Sequence, residues 1–217
     1  MAARKKGPAA GGGSSGLTRE AFIRAATEIV EESGMQAYTA RTLAERLGVD
    51  PTAVYRYFPS VESVLAAVVD ELIFGVEAPS TGTPREQIEA LLLGVHERFW
   101  AHPNLVPLLV SARDPLPNGA TLSAAFVTML ERLGLHGDDL VLCHRMLESA
   151  LIGTHSFDLG AAPMHLETRR ARMRGIDNPD LDRALPTLTA VAELNQRAFR
   201  TSITVLLDYC ETLVGRG

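Results

Sequence analysis

The run Thr39-Ala-Arg-Thr-Leu-Ala-Glu-Arg-Leu-Gly48-Val-Asp50-Pro51-Thr-Ala-Val-Tyr55-Arg-Tyr-Phe58 places two helix signals back to back. At helical spacing Leu43, Ala44 and Leu47 share one apolar stripe, and Gly48 follows as the residue that holds a left-handed backbone at least cost. Asp50-Pro51 then opens a second helix. The aspartate can accept from a free amide, and proline at the first position gives up a donor that has no partner there. The prediction is two short helices around a tight turn, the second over roughly Pro51–Tyr57. Isolated helices below about 12 residues are marginal in water, so neighbours must hold it. Ala53, Val54 and Phe58 can anchor it, which leaves Thr52, Tyr55, Arg56 and Tyr57 outward. Hydroxyls that hold phosphates and an arginine that reads guanine suit a DNA major groove, so the pattern reads as a helix-turn-helix.

Residues 17–65 resemble the DNA-binding domain of the tetracycline-repressor (TetR) family of one-component transcriptional regulators. That family places a threonine at the opening of its second helix, an alanine before a Gly-Val turn, and Tyr-x-(His/Tyr)-Phe at the end of its third. This chain has Thr39, Ala44, Gly48-Val49 and Tyr55-Arg56-Tyr57-Phe58 in that order and spacing. The resemblance implies that Thr39, Arg41, Tyr55 and Tyr57 fall where family members touch phosphates, and Pro51, Thr52, Ala53 and Arg56 where they meet bases. One position departs: where the family commonly has a backbone-gripping lysine, this sequence has Val61. The alternative for the Tyr-Arg-Tyr cluster is that it packs its helix in place.

With 217 residues, 46% hydrophobic, the chain can bury an ample core without staples. No β-type alternation recurs, so an all-α architecture of about nine helices is expected. Cys143 and Cys210 sit among apolar helical neighbours and read as buried thiols, with a redox pair or disulfide as the alternative. No apolar run reaches about 18 residues and no signal-peptide core follows the basic N-terminus, so the expected location is cytoplasmic. The net charge of −5 is unevenly spread: residues 1–60 carry eight Lys/Arg against six acids, +2, which leaves −7 for the remainder. A mildly basic head on an acidic body fits a protein that meets DNA with one end.

Three domains are expected: a disordered basic arm over 1–16, the helix-turn-helix domain over 17–65, and a helical ligand-binding and dimerisation domain over 66–217. The first helix is predicted over about Thr18–Glu32, with Phe22, Ala25, Ala26, Ile29 and Val30 inward, and Thr39 is read as a cap. After Phe58-Pro59, Ser60 caps a fourth helix that runs from the first domain into the second. Ala78–Pro84 is the clearest break. Further helices are predicted over about Arg85–His102, Asn104–Ala112, Ala120–Leu133, Asp138–Leu159 and Thr187–Val214, with Arg113–Gly119 and Gly160–Pro186 as loops or irregular chain. Arg169, Arg170, Arg172 and Arg174 read as a solvated face.

A helix-turn-helix gains specificity from two half-sites about one DNA turn, roughly 34 Å, apart, which requires a dimer. The last two helices, the eighth and ninth over 138–159 and 187–214, are the expected interface, with Ala150, Gly153, Ala190 and Ala198 allowing close approach. The family resemblance implies the same pairing and a small-molecule pocket in the second half. Candidate ligand contacts are His96, Phe99, Trp100, Arg113, Met129, His144, Met146, Glu148 and Phe157, with His155 a further polar possibility and core packing the alternative for each apolar one. No cofactor or metal is expected, because Cys143, His144 and Glu148 have poor ligand spacing. Together these features imply a dimeric, ligand-responsive repressor of a palindromic operator, released by a small apolar or amphipathic molecule. The alternative is an enzyme on a helical scaffold using a His/carboxylate pair, although GxSxG, P-loop, HExxH and dinucleotide fingerprints are all missing.

Overall fold

The computed structural model describes residues 17–77, 79–157, 171, 175–176, 178–180 and 188–215; among them the regular elements are helices, with no strand. The basic arm, the four-arginine stretch and the side chains of Phe157 and Ala190 lie outside the described residues.

Helix α1 (Arg19–Ser33) starts at Thr18, whose hydroxyl accepts from Ala21 N at 3.2 Å, and buries Phe22, Ala25, Ala26, Ile29 and Val30. Helix α2 (Ala40–Leu47) is capped as expected by Thr39, with Thr42 closing a reciprocal capping box. It ends on Gly48 in the left-handed region at φ 67°. Asp50 accepts from Thr52 N at 2.8 Å, and Pro51 stands first in the next element.

That element departs from expectation in form: Pro51–Arg56 is a 3₁₀ helix, one residue shorter than predicted. Ala53 N donates to Asp50 O and Tyr57 N to Val54 O, both three residues back. Six residues cannot sustain a cooperative α-helix, and the tighter i→i+3 turn makes its bonds in less chain. Helix α3 (Val61–Ile73) follows, capped by Ser60, with Val64 and Val68 packed into the same core as Phe22, Val54 and Phe58.

Helix α4 (Pro84–Ala101) begins on the proline assigned above to the break, because Thr83 and Glu86 form a capping box with proline at the first position. A short α5 (Val106–Ser111) leads to α6 (Pro117–Leu133), which likewise starts inside the predicted loop. Helices α7 (Gly137–Phe157) and α8 (Leu188–Val214) are long and packed on one another. Helix α6 packs against α3, α4 and α7, so the second half closes over the C-terminal end of α3. Cys143 of α7 and Cys210 of α8 are free, buried thiols, and burial followed by the adjacent Cys143 pushes Cys210 up to about 12. Among the described residues no helix is long and apolar enough to cross a membrane.

Candidate nucleic-acid interface and ligand cavity

The 3₁₀ form decides which side chains of Pro51–Arg56 face out. At three residues per turn, positions i and i+3 eclipse, so Thr52 aligns with Tyr55, Ala53 with Arg56, and Val54 with Tyr57. Val54 is 2% exposed and Phe58 likewise, which seats that row in the core. Tyr55 is 59% exposed, and Pro51, Thr52 and Arg56 are also open, with Ala53 half-buried between them.

Tyr57 is a correction to the outward set. It is half-buried, its ring lies 5.2 Å from that of Phe22, and its hydroxyl donates to Leu17 O at 2.7 Å. The period of three carries it inward behind Val54, where a helix of 3.6 residues per turn would turn it further round. Arg19 completes this support, donating to Tyr57 O at 3.1 Å and standing 4.0 Å over the Phe58 ring.

Among the described residues Arg56 makes no hydrogen bond or ion pair. Arg41 pairs with Glu45 at 2.8 Å, but both are exposed and water screens the pair, so the guanidinium exchanges partners at little cost. Thr39 is exposed with its hydroxyl engaged in the α2 cap, and Thr52 Oγ1 donates to Asp50 Oδ1 at 2.6 Å. These bonds from Thr52 hold the Asp50 carboxyl below its usual range, so it stays ionised and keeps the segment's start fixed.

The second feature is a cavity of about 740 Å³ bounded by α3, α4, α5, α6 and α7. Its walls include Ile73, Leu91, Val95, Phe99, Leu122 and Phe126. Its polar groups are concentrated on α7, where His144, Arg145, Glu148 and Ser149 occupy one face, with Ser123 of α6 beside them. The His144 ring lies 5.1 Å from that of Phe126, and Arg145 Nη1 donates to Glu148 Oε2 at 2.9 Å. A mainly apolar cleft with one polar wall is the form of a small-molecule site.

Of the predicted ligand contacts, Phe99, His144 and Glu148 line this cavity. His96, Trp100, Arg113, Met129 and Met146 do not: Met129 is buried core, Arg113 is exposed, and Trp100 stands against His96. Periodicity marks an inward side chain without saying whether packing or a void lies beyond it, so the buried Met129 carries the same signal as a cavity wall. Arg145 and Ser149 were legible only as neighbours of His144 and Glu148 on the same helix. Gly153, expected to allow close approach at a helix–helix interface, lines the cavity.

His96 and His155 form a buried pair. Nδ1 of His96 and Nε2 of His155 are 2.9 Å apart, the His96 ring stacks on Phe199 at 4.1 Å, and Phe99 meets His155 edge-on at 5.3 Å. Among the described residues the outer nitrogens, His96 Nε2 and His155 Nδ1, are buried without a hydrogen-bond partner. Burial is the main cause lowering both rings to about 4, aided by Arg200 for His96 and by His96 for His155, so both are neutral at pH 7. Among the described residues no three His, Cys, Asp or Glu side chains converge as a metal site.

Residues 22–68 match the family model described as bacterial regulatory proteins, tetR family. The chain is 42% identical over 57 residues to the tetracycline repressor protein class C of Escherichia coli, covering 26% of each protein. It is 26% identical over 180 residues to the HTH-type transcriptional repressor DrrR1 of Streptomyces coeruleorubidus, covering 81% of this chain and 64% of that one. The chain thus spans about a quarter of the first relative's length and under two thirds of the second's. Among the solved structures that share its fold are two with bound molecules. ActR of Streptomyces coelicolor, in complex with actinorhodin, superposes with TM-score 0.73 at 19% identity over 93% of this chain and all of the other. Mycobacterium smegmatis BioQ, with its double-stranded DNA operator, gives 0.65 at 18% over 90% and 99%.

Proposed function

We propose that this chain, whose residues 22–68 match the model of the tetR family of bacterial regulatory proteins, is a dimeric transcriptional repressor that a small apolar or amphipathic molecule releases from a palindromic operator. The observation that carries the DNA half is the exposure of Thr52, Tyr55 and Arg56 together on a segment pinned by Asp50, Val54 and Phe58. A fixed scaffold presenting an unpaired guanidinium and ring faces suits bidentate base reading flanked by phosphate contacts. Residues 17–65 are the proposed DNA-binding unit, with Thr39, Arg41 and Tyr55 on phosphates and Pro51, Thr52, Ala53 and Arg56 toward bases. Tyr57 meets the backbone at most with the lone pairs its bond to Leu17 leaves free.

Dimerisation through α7 and α8 is supported by Val141, Leu142, Val205 and Tyr209, large apolar side chains left exposed on these two helices. The cavity supports the effector half: its apolar walls take a ring system or chain, and the polar face of α7 takes the hydrogen-bonding edge. ActR's complex with actinorhodin and BioQ's with its operator are the corresponding states of proteins with this fold. Such a protein acts where its operator is, in the cytoplasm. The enzyme reading gains nothing from His96 and His155, which face each other rather than a carboxylate.

Selecting genomic fragments on the purified full-length chain at moderate salt tests the proposal. Enrichment of an inverted repeat is expected. Retention of fragments with no common sequence, falling away together as salt rises, would leave only non-specific phosphate binding.

A further inference from the structure

Helix α6 starts without a cap of its own. Leu116 at its cap position offers no side-chain acceptor and Pro117 has no N–H, so the first free amides are those of Asn118 and Gly119. A residue of another helix takes both. Asp70 Oδ1 accepts from Asn118 N at 2.9 Å and from Gly119 N at 3.1 Å, and Asn118 Nδ2 donates to the Asp70 main-chain oxygen at 3.2 Å. A carboxylate on the free amides of a helix start combines charge-assisted hydrogen bonds with the favourable end of the helix dipole.

This clasp lies at the edge of the cavity and on the helix shared with the head. Upstream of Asp70 on α3, Val64 and Val68 pack in one core with Phe22 and Phe58. One turn downstream, Ile73 lines the cavity, as do Leu116, Gly119 and Leu122 beside or on α6. The two helices are close as well as bonded: a Cβ at Gly119 would lie 3.7 Å from Ile73 Cδ1 and 3.2 Å from Leu116 Cβ. A second polar tie joins α1 to the end of α4, with His102 Nδ1 3.0 Å from Glu31 Oε1 and Asn104 Nδ2 donating to Glu31 O at 3.3 Å, but none of these residues lines the cavity.

We propose that Asp70 is the positioning residue through which cavity occupancy reaches the reading segment: its carboxylate binds α6 to α3, so a guest that displaces the α6 wall drags α3 and the head with it. This rests on the ligand-responsive reading above and names the joint that transmits it. A cavity whose wall moved without Asp70 would fill without consequence for DNA.

A steric guest replaces the natural one in the test. Leu122→Trp pushes an indole from α6 into the cavity, and the full-length wild type, Leu122→Trp, Asp70→Ala and the double variant are titrated by fluorescence anisotropy on the duplex selected by the wild type. The expected result is about a tenfold loss of affinity from Leu122→Trp alone, less than about threefold from Asp70→Ala alone, and less than about twofold for Leu122→Trp when Asp70 is already gone. Asn118→Pro removes one amide and the side-chain arm from the α6 side, at a first-turn position where proline is tolerated, and must behave as Asp70→Ala does even if that variant folds poorly. An equal loss from Leu122→Trp with and without the clasp overturns the role of Asp70 and leaves the ligand-responsive reading intact. No loss in the wild-type background overturns both.

Discussion

Tyr55 and Tyr57 are two residues apart in a cluster that reads as one motif, yet the structure divides their work. Tyr55 is an exposed ring with no partner among the described residues, whereas Tyr57 is bonded to Leu17 and packed on Phe22. Substituting each with phenylalanine separates the roles. Tyr57→Phe removes a half-buried hydrogen bond and is expected to destabilise the fold by about 1 kcal/mol with little change in operator affinity. Tyr55→Phe is expected to leave the melting temperature unchanged and to weaken operator binding. Thermal unfolding and operator titration of both variants check this, and a reversed pattern would show that the rings are assigned the wrong way round.

At the scale of elements, much was legible because capping signals are local. Thr39, Asp50-Pro51 and Ser60 each carry their acceptor within three residues of the amide they satisfy, and each boundary stands where the sequence puts it. What was not legible depends on distant chain. The start of α6 read as a loop because its cap, Asp70, is 48 residues away. The inward position of Tyr57 is held by Leu17, 40 residues back, and by the ring of Phe22. His96 read as a ligand contact because nothing local announces a partner 59 residues on.

That histidine pair makes the packing of α4, α7 and α8 sensitive to acid. Both rings titrate near 4 in the fold and at about 6.5 in the unfolded chain, so between these values the unfolded state binds more protons. The stability is therefore complete above about pH 6.5 and falls as pH drops toward 4, by on the order of 1 kcal/mol per ring at pH 5.5. The double variant His96→Phe/His155→Leu removes both orphaned nitrogens with their partners and is expected to match or exceed wild-type stability at pH 7, with a flatter curve between pH 6.5 and 4.5. Denaturant melts at several pH values measure it. Subtracting the variant's curve also removes the contribution of carboxylates such as Glu32, which its hydrogen bond to Arg46 holds low. Parallel curves would contradict the assignment.

At the scale of the molecule, one reading head touches too few base pairs to select an operator, so the account needs two on a common body. Val205, 58% exposed on α8, belongs to the surface assigned to the partner copy. Val205→Asp buries two charges across a symmetric interface and is expected to shift the protein to monomer in sedimentation, with circular dichroism unchanged and operator affinity reduced by at least about tenfold. A variant that stays dimeric would move the interface elsewhere.

The central claim is that Pro51–Arg56 reads base edges, and Arg56 tests it most directly. Affinities of wild type and Arg56→Ala are measured for the selected duplex and for every single-base change within each half-site. The account predicts that Arg56→Ala costs about 1–3 kcal/mol and abolishes discrimination at one symmetry-related pair of positions, leaving the preferences elsewhere in place. A uniform loss across all sequences, or no loss at all, would contradict it.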